Sequence, residues 1–188
     1  RKLTDELQDI VMSIRMIPIA GTFQKMQRIV RDMSRKLNKD VEFVTVGEDT
    51  EVDKNIIDHL SDPLMHLIRN AMDHGVESEE ERIKKGKAPK ARITLTAHNT
   101  GGDIMISVSD DGQGINKEKI LKKAREQGLL TKPENEYTEK EIFNLLLLPG
   151  FSTKDKVTEY SGRGVGMDVV KQNIEEVGGS ISIKSVEG

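Results

Sequence analysis

The sequence predicts an α+β domain in which helices cover one face of a mixed sheet. Three observations carry this prediction: apolar residues recur at helical spacing in several segments, other segments are β-rich, and two of the latter flank the turn 100–102. Strands and helices that each have one apolar face are expected to bury those faces together. A chain of 188 residues is long enough to enclose such a core in one domain.

Composition excludes several classes of protein. The 29 basic and 32 acidic side chains leave a formal net charge of −3, which gives no electrostatic reason to expect nucleic acid or a membrane as the main partner. Cysteine is absent, which excludes disulfides and thiolate metal sites. The longest apolar block, 145–148, is far too short to span a membrane. We therefore expect a cytoplasmic protein, and the helical pattern at Arg1 indicates a piece of a longer chain.

The first elements are two helices. Apolar residues recur at helical spacing from Leu3 to Ile14, and Pro18 is expected to end that helix. Thr22 is expected to cap a second helix, which carries apolar residues on one side as far as Leu37.

A strand and a long helix follow. Residues 41–46 are β-rich and are closed by Gly47, so they predict a strand. Asp53 is expected to begin a helix that reaches about His74. Pro63 has no amide hydrogen and is expected to interrupt or kink that helix.

The middle of the chain predicts a loop and a hairpin. Residues 77–90 are highly charged and contain glycine and proline, which is typical of a surface loop. Residues 92–99 and 103–109 are β-branched or alternating, and the glycines between them supply a turn, so they predict two hairpin strands.

The last third predicts three helices, a loop and a strand. Asn116 is expected to cap one helix, and residues 139–148 are expected to form another. Residues 150–166 hold four glycines and predict a long mobile loop. A helix over 167–177 and a strand over 180–186 complete the chain.

Four polar residues share one side of the helix that begins at Asp53. His66, Asn70 and His74 are spaced by four, and Asp73 lies three beyond Asn70, so their side chains form one broad stripe. Taken alone, such a stripe is more often the solvated face of an amphipathic helix than a site.

Asp110 stands where the second hairpin strand opens into a loop, with Gly112 and Gly114 close behind it. A carboxylate there can accept a hydrogen bond from the 6-amino group of adenine, while the glycines let the backbone pass close under the base. In isolation the same motif is more often a simple Asp-Gly turn.

A ladder of alternating glycines, Gly162, Gly164 and Gly166, leads into the helix that begins at Met167. Backbone amides at a glycine-rich helix start can form an anion site. The segment is not a P-loop, because no Gly-Lys-Ser/Thr follows, and its spacing does not match the dinucleotide fingerprint. Unaided, it is more often a flexible loop.

Several cations lie near these motifs in the sequence. Lys119 and Lys123 are four residues apart on one helix and could reach phosphates from one side. Arg69 and Arg163 are similar candidates. A solvated position is at least as good an interpretation for the two lysines.

In this order the segments resemble the ATP-binding core shared by DNA gyrase, heat-shock chaperone ATPases, MutL and the histidine kinases, which is the Bergerat fold. The run 66–75 is similar to the form of this motif in the CheA family of chemotaxis histidine kinases. The resemblance implies a two-layer α/β sandwich with a mainly antiparallel sheet, and a mobile ATP lid over about 150–166. It also implies ATP and Mg²⁺ as cofactors.

The resemblance implies roles for single residues. Asn70 would be the direct protein ligand of Mg²⁺, which prefers hard oxygen ligands. Asp110 would read adenine, and Ser152 and Thr153 would belong to the hinge before the lid. The residues expected to bind the nucleotide are, in chain order, Asn70, Asp73, Asp110, Gly112, Gly114, Lys119, Lys123, Ser152, Thr153, Gly162, Arg163, Gly164, Val165, Gly166 and Met167.

His66 distinguishes between functions. In the gyrase, chaperone and MutL branches, the residue four before the magnesium ligand is a glutamate that activates water, whereas this chain has histidine there. A neutral imidazole acceptor needs no such base, because its nucleophilic nitrogen already has a free lone pair. The resemblance thus implies a protein-histidine kinase with His66, Asn70 and His74 as catalytic residues. A hydrolytic ATPase and a non-catalytic nucleotide-binding switch remain as alternatives.

The resemblance also implies that this chain is one part of a longer protein whose other domains have other functions. Residues 1–20 would be the end of a dimerisation region and its connector helix, and 21–188 the catalytic domain without its final strand. None of the four histidines precedes an acidic residue, so the phosphoacceptor is expected on a histidine phosphotransfer domain of the same protein, reached in trans. Chemoreceptors and a coupling protein would contact other domains. The whole protein would be a homodimer, and the segment 1–188 by itself a monomer.

Overall fold

The computed structural model describes residues 15–101, 103–149, 151, 167–176, 178 and 179. The predicted helix from Leu3 to Ile14, nearly all of the predicted lid and the predicted strand 180–186 lie outside the described residues.

The described strands lie in the first part of the chain among helices, and only helical elements follow the last strand. In chain order they are β1 (Met16–Pro18), α1 (Ala20–Leu37), β2 (Val41–Val46), β3 (Glu51–Asp53), α2 (Lys54–Asn70), a π-helical turn (Ala71–Gly75), α3 (Glu79–Lys84), β4 (Ala91–Thr100), β5 (Asp103–Asp110), α4 (Lys117–Glu126), a 3-10 turn (Glu134–Glu136), α5 (Glu139–Asn144), a second 3-10 turn (Leu145–Leu147) and α6 (Met167–Glu176).

The predicted mixed sheet is confirmed. Its described strands run in the order β2-β4-β5. β2 pairs with β4 in parallel, and β4 pairs with β5 as the antiparallel hairpin that the sequence predicts. In that hairpin Asp110 lies opposite Ile93, so the end of β5 meets the start of β4. The strands β1 and β3 form a separate antiparallel pair, which was not predicted from the sequence.

The main core lies between the sheet and the helices α1 and α2. Phe23 and Met26 of α1, Ile68 of α2, and Ile93 and Leu95 of β4 are completely buried there. Each such side chain contributes about 1.5–3 kcal/mol through the removal of its apolar surface from water. The helices therefore cover one face of the sheet, as predicted. A second cluster, around Ile120, Ala124, Ile142, Phe143, Leu145 and Phe151, joins α4 to α5.

The start of the chain corrects two predictions. Pro18 belongs to strand β1 rather than ending a helix. Helix α1 begins at Ala20 with Ile19 as its N-cap, and Thr22 is buried inside the helix instead of capping it. No side chain caps this end. Ile19 and Phe23 are both fully buried, so apolar packing decides where the helix begins.

Helix α2 largely follows its prediction. Asp53 is the N-cap, and its side chain accepts a hydrogen bond from the amide of Asn55. The helix continues through Pro63 to Asn70 without interruption, because burial of that proline in the core compensates for the missing amide bond. The predicted stretch to His74 ends in the π-helical turn.

The charged segment 77–90 is not only a loop. It contains helix α3, whose N-cap Ser78 accepts a hydrogen bond from the amide of Glu81. Its Arg82 is only 2% exposed. An arginine can be buried when charged partners and carbonyls surround it, and here they do.

The predicted cap of α4 is confirmed, and α5 has a cap that was not predicted from the sequence. Asn116 accepts hydrogen bonds from the amides of Glu118 and Lys119, and Thr138 forms a reciprocal capping box with Glu141. Helix α5 ends at Asn144 and continues as a 3-10 turn, so it is shorter than the predicted 139–148.

Helix α6 packs against α2 and buries Val170. Beyond the C-terminal end of this helix, Gly178 has a φ of 79° and its amide donates to the carbonyl of Glu175. Within the described part of the chain, every helix is too short or too polar to cross a lipid bilayer.

Candidate functional site

One wall of the candidate site is the end of α2 and the turn that follows it. His66, Arg69 and Asn70 are partly exposed on the helix, opposite the buried Leu64 and Ile68. The predicted polar stripe is therefore on the side of α2 that faces away from the main core. A helix of this kind can pack on one side and present polar groups on the other.

The stripe continues into the π-helical turn Ala71–Gly75, which closes with a hydrogen bond of 2.9 Å from the amide of Val76 to the carbonyl of Ala71. Such wide turns are rare and often occur at functional sites. The carboxylate of Asp73 lies 3.2 Å from Nε2 of His74, and it is 17% exposed whereas the histidine is 47% exposed. Asp73 is therefore held inside the wall while His74 faces solvent.

Lys39 holds this turn from outside the helix. Its Nζ donates hydrogen bonds to the carbonyls of Met72, Asp73 and Val76 at 3.0, 3.0 and 2.9 Å. Half-burial lowers the pKa of the ammonium, and the charges of Asp73 and two nearby glutamates oppose that effect. The three carbonyls thus converge on one cation that comes from the segment between α1 and β2.

The Asp110 loop forms a second wall, which contacts the turn directly through glycines. The carboxylate of Asp110 is so close to Gly75 that a Cβ on that glycine would lie 3.3 Å from Oδ2. A Cβ on Gly112 would lie 1.8 Å from the carbonyl oxygen of Gly75. Only glycine at position 112 allows the two backbones to approach this closely.

Gln113 joins the two walls by hydrogen bonds. Its amide donates to the carbonyl of Gly75 at 2.8 Å, and its side-chain Nε2 donates to the carbonyl of His74 at 2.7 Å. Gly114 follows with a φ of 75°, which favours glycine. Two segments that are about forty residues apart in sequence therefore meet through backbone groups.

The carboxylate of Asp110 has a perturbed environment. Desolvation by burial raises the pKa of Asp110, and the charges of Asp111 and Glu77 raise it further. The amide of Gly112 donates to Oδ1 at 2.9 Å, and this hydrogen bond lowers the pKa of the carboxyl. An acceptor held by a backbone amide at a partly desolvated position suits recognition of a hydrogen-bond donor on a ligand.

A cluster of five charged residues packs against the Asp110 loop: Glu77, Arg82, Lys85, Lys87 and Asp111. The side chain of Glu77 is fully buried and pairs with all three cations, at 3.2 Å for Arg82, 3.2 Å for Lys85 and 2.7 Å for Lys87. Desolvation alone would raise the pKa of Glu77, but the hydrogen bonds from Lys87, from the backbone and from Lys85 lower it to about 2. This glutamate is therefore ionised throughout the physiological range.

This cluster and Lys39 were not predicted from the sequence. A signal for α3 was present, since Ser78 followed by Glu81 fits the capping pattern that precedes a helix. No local signal identifies Lys39, because its acceptors lie 33 to 37 residues further along the chain.

The structure describes only some of the residues that are predicted to bind phosphate. Lys119 is exposed and Lys123 is partly exposed on α4, which begins a few residues after Gly114. Ser152, Thr153, Gly162, Arg163, Gly164, Val165 and Gly166 lie outside the described residues. Met167 is the first residue of α6, whose packing against α2 brings the helix after the glycine ladder to the helix that carries Asn70.

Metal donors near the site are few. Among the described residues there is no group of three or more His, Asp or Glu side chains that could enclose a metal ion. The oxygen donors on this wall are the amide of Asn70 and the carboxylate of Asp73. Such a small hard-oxygen set fits Mg²⁺, which keeps several waters and takes the rest of its ligands from phosphates.

The chain is similar in sequence to a known family of proteins. The family described as histidine kinase-, DNA gyrase B-, and HSP90-like ATPase matches residues 59–188. The chemotaxis protein CheA of Bacillus subtilis is 45% identical over 188 residues, which are 100% of this chain and 28% of that protein. The chemotaxis protein CheA of Salmonella typhimurium is 50% identical over 183 residues, which are 97% of this chain and 27% of that protein.

The fold also has a counterpart among solved structures. The catalytic domain of the histidine kinase ThkA superposes with a TM-score of 0.51 at 19% identity, over 87% of this chain and 80% of that one. The chain spans little more than a quarter of the length of the two chemotaxis proteins. With a matching family over more than two thirds of its length, it belongs to the histidine kinase-, DNA gyrase B- and HSP90-like ATPases.

Proposed function

We propose that the chain is the catalytic domain of a chemotaxis histidine kinase. It binds ATP with Mg²⁺ and transfers the γ-phosphoryl group to a histidine on a separate phosphotransfer domain. The observation that carries the proposal is the meeting of two motifs. The Asp110 loop packs on the turn beyond Asn70 through Gly112 and Gln113.

The adenine end of the site is Asp110 in this proposal. Its Oδ1 accepts from the amide of Gly112, which leaves Oδ2 as the acceptor for the 6-amino group of adenine. Gly112 lets the loop pass close to Gly75, and Gly114 adopts a positive φ that favours glycine. Desolvation of this carboxylate strengthens a hydrogen bond that it makes to a ligand.

The metal end is Asn70. Its amide oxygen would hold Mg²⁺ without adding a negative charge beside a triphosphate, and Asp73 would bind through water or orient the amide. The ion supplies neutralisation of phosphate charge when bound. Lys119, Lys123, Ser152, Thr153, Arg163 and the backbone of Gly162, Gly164, Val165, Gly166 and Met167 would contact the phosphates.

The absence of a carboxylate at position 66 favours kinase chemistry. His66 lies one helical turn before Asn70, where a base for water would be needed. The acceptor histidine brings its own lone pair, so His66 and His74 need only donate hydrogen bonds or handle a proton near the γ-phosphate. The same feature keeps hydrolysis of ATP slow.

The partners in this proposal belong to a longer protein. The relatives extend well beyond the aligned part, which leaves room for other domains. We propose that the acceptor histidine lies on one of them, that the whole protein is a cytoplasmic homodimer, and that chemoreceptors and a coupling protein contact it outside this domain. Residues 1–20 would connect to the dimerisation region, 21–188 would be the catalytic domain, and the segment 1–188 by itself would be a monomer.

A transfer assay tests the proposed function. The chain is mixed with the separately produced phosphotransfer domain of a chemotaxis kinase and γ-labelled ATP, with and without Mg²⁺. The label should appear on the acceptor histidine only with Mg²⁺. Binding of ATP with rapid release of phosphate and an unlabelled acceptor would instead indicate a hydrolytic ATPase. Binding with neither product would indicate a nucleotide switch.

A further inference from the structure

The loop that carries Asp110 is held by two consecutive peptide groups whose ends are both bonded. The carbonyl and the amide of one peptide unit point in opposite directions, so bonding both ends fixes the plane between them. The Gly112–Gln113 peptide accepts from Nζ of Lys87 at 3.0 Å and donates to the carbonyl of Gly75 at 2.8 Å. Its orientation is therefore set by Lys87 on one side and by the turn on the other.

The preceding peptide, between Asp111 and Gly112, is fixed in the same way. Its carbonyl accepts from Nη1 of Arg82 at 3.1 Å and from Lys87 at 3.4 Å. Its amide donates to Oδ1 of Asp110 at 2.9 Å. A rotation of this plane would withdraw the amide that orients the Asp110 carboxylate.

The two cations are themselves held by buried charge. Arg82 donates to the carboxylates of Glu77 and Asp111 at 3.2 and 3.1 Å and to the carbonyl of Ala88 at 2.7 Å. Lys87 pairs with the same Glu77 at 2.7 Å. The positions of both cations are thus determined by a glutamate with no exposed surface.

We infer that Lys87, together with Arg82, is a positioning residue that sets the preference of the site for adenine. It acts through the Asp111 and Gly112 peptides on Asp110 and does not touch the base itself. This inference rests on the role of Asp110 proposed above. A charged cluster on the side of the Asp110 loop opposite the π-helical turn thus controls the preference of the site for adenine.

The chain offers a matched control. Lys85 also pairs with Oε2 of Glu77, at 3.2 Å, but the hydrogen bonds of its ammonium that the structure describes do not extend to the Asp110 loop. Lys85→Met and Lys87→Met each remove one positive charge and one partner of Glu77. Only Lys87→Met also removes the donor to the Gly112 carbonyl. Lys87 is 20% exposed, so its substitution leaves the hydrophobic core intact.

The experiment measures dissociation constants for ATP and for inosine triphosphate by calorimetry. Inosine carries an oxygen where adenine carries the 6-amino group, so the ratio of the two constants reports the Asp110 contact. Hydrogen bonds to charged groups contribute about 1.5–3 kcal/mol, so the wild-type protein should prefer ATP by about tenfold or more. Lys87→Met should lose most of that preference, and Lys85→Met should keep it.

A second variant, Lys87→Gln, keeps a short donor without the charge and should retain an intermediate preference. The melting temperature of each variant is measured without nucleotide. An unchanged ATP preference in Lys87→Met and in Lys87→Gln would overturn the inference, as would equal losses in the Lys85 and Lys87 variants. A wild-type protein that binds both nucleotides equally would instead remove the proposed adenine role of Asp110.

Discussion

Gly112 lies directly over the carbonyl of Gly75, so closely that a methyl group on Gly112 would sit 1.8 Å from that oxygen and 2.5 Å from its carbon. These two glycines are where the loop after β5 meets the turn after α2. The separation is far below van der Waals contact, and the obstacle is backbone rather than a flexible side chain. The loop and the turn can therefore approach this closely only because position 112 has no Cβ atom.

Gly112→Ala should separate the two walls. The expected result is a loss of ATP affinity of about fivefold or more, because the loop must move and Gln113 then loses its bond to Gly75, at a cost of about 1–3 kcal/mol. Titration calorimetry measures the loss. Gly21→Ala is the control, since a Cβ at that position meets nothing within 4 Å. Unchanged affinity in Gly112→Ala would show that the walls need not meet for binding.

Asp110→Asn should weaken ATP binding without weakening the fold. The pKa of Asp110 is raised, so stability from this group is complete below the pKa of the unfolded chain and is lost as the pH rises through the folded pKa. At pH 7 asparagine avoids that cost and can still accept from Gly112. We expect an equal or higher melting temperature without nucleotide.

The binding readout for Asp110→Asn is the melting shift at a hundredfold excess of ATP over the wild-type Kd. That excess stabilises a binding protein by ~2.7 kcal/mol, or roughly 5–11 °C for a chain of this size. The variant should show only a small part of the shift. Asp103→Asn, at the exposed other end of β5, should show all of it. A full shift in Asp110→Asn would refute the adenine contact.

His66→Glu should increase hydrolysis of ATP. A carboxylate one turn before Asn70 can act as a base for water, and positioned general bases contribute about 10²–10⁴-fold where the geometry is right. We expect a several-fold rise in phosphate release and a fall in transfer to the acceptor histidine. His59→Glu, on the exposed first part of α2, is the control. If the wild-type chain already hydrolyses ATP efficiently, the proposed role of position 66 is wrong.

Lys39→Met should loosen the π-helical turn. It leaves the carbonyls of Met72, Asp73 and Val76 without their shared donor, which costs about 1–3 kcal/mol. The denaturation midpoint in urea and the affinity for ATP should both fall. Lys25→Met, on the exposed side of α1, should change neither. Lower stability with full ATP affinity would mean that the site does not depend on the exact shape of the turn.

Glu77 makes stability depend on pH in the acid range. Its pKa is lowered from 4.5 to about 2, so its stabilising effect is complete above 4.5 and is lost as the pH falls towards 2. Urea unfolding between pH 2 and 7 should show this loss in the wild-type protein. Glu77→Gln should be less stable at pH 7 and should lose less stability between 4.5 and 2. Parallel curves for the two proteins would contradict the assignment.

The sequence predicts those elements whose signals are local. The hairpin of β4 and β5, the start of α2 at Asp53 and the cap at Asn116 each depend on residues within a few positions of one another, and all three are observed. The meeting of the turn after Asn70 with the Asp110 loop could be expected only from family resemblance, because nothing in either segment specifies the other.

The failures have a common physical cause. Helix α3 is six residues long and carries charge on most positions, so its pattern resembles a solvated loop. Arg82 can be buried because it bonds to Glu77, five residues before it, and to Asp111, twenty-nine residues after it. At the start of α1, packing of Ile19 and Phe23 overrides the capping preference of Thr22. Tertiary contacts decided each case against the local pattern.

The ammonium of Lys39 has a consequence for the order in which this protein assembles. In a peptide that contained only α2 and the residues after it, the carbonyls of Met72, Asp73 and Val76 would lack their shared donor. We expect the end of that helix to be ordinary α-helix. We expect this wide turn to form only once α1 has docked and has brought the lysine alongside it. Contacts between distant residues form slowly, so the cleft should mature late, after the hydrophobic interior has already condensed.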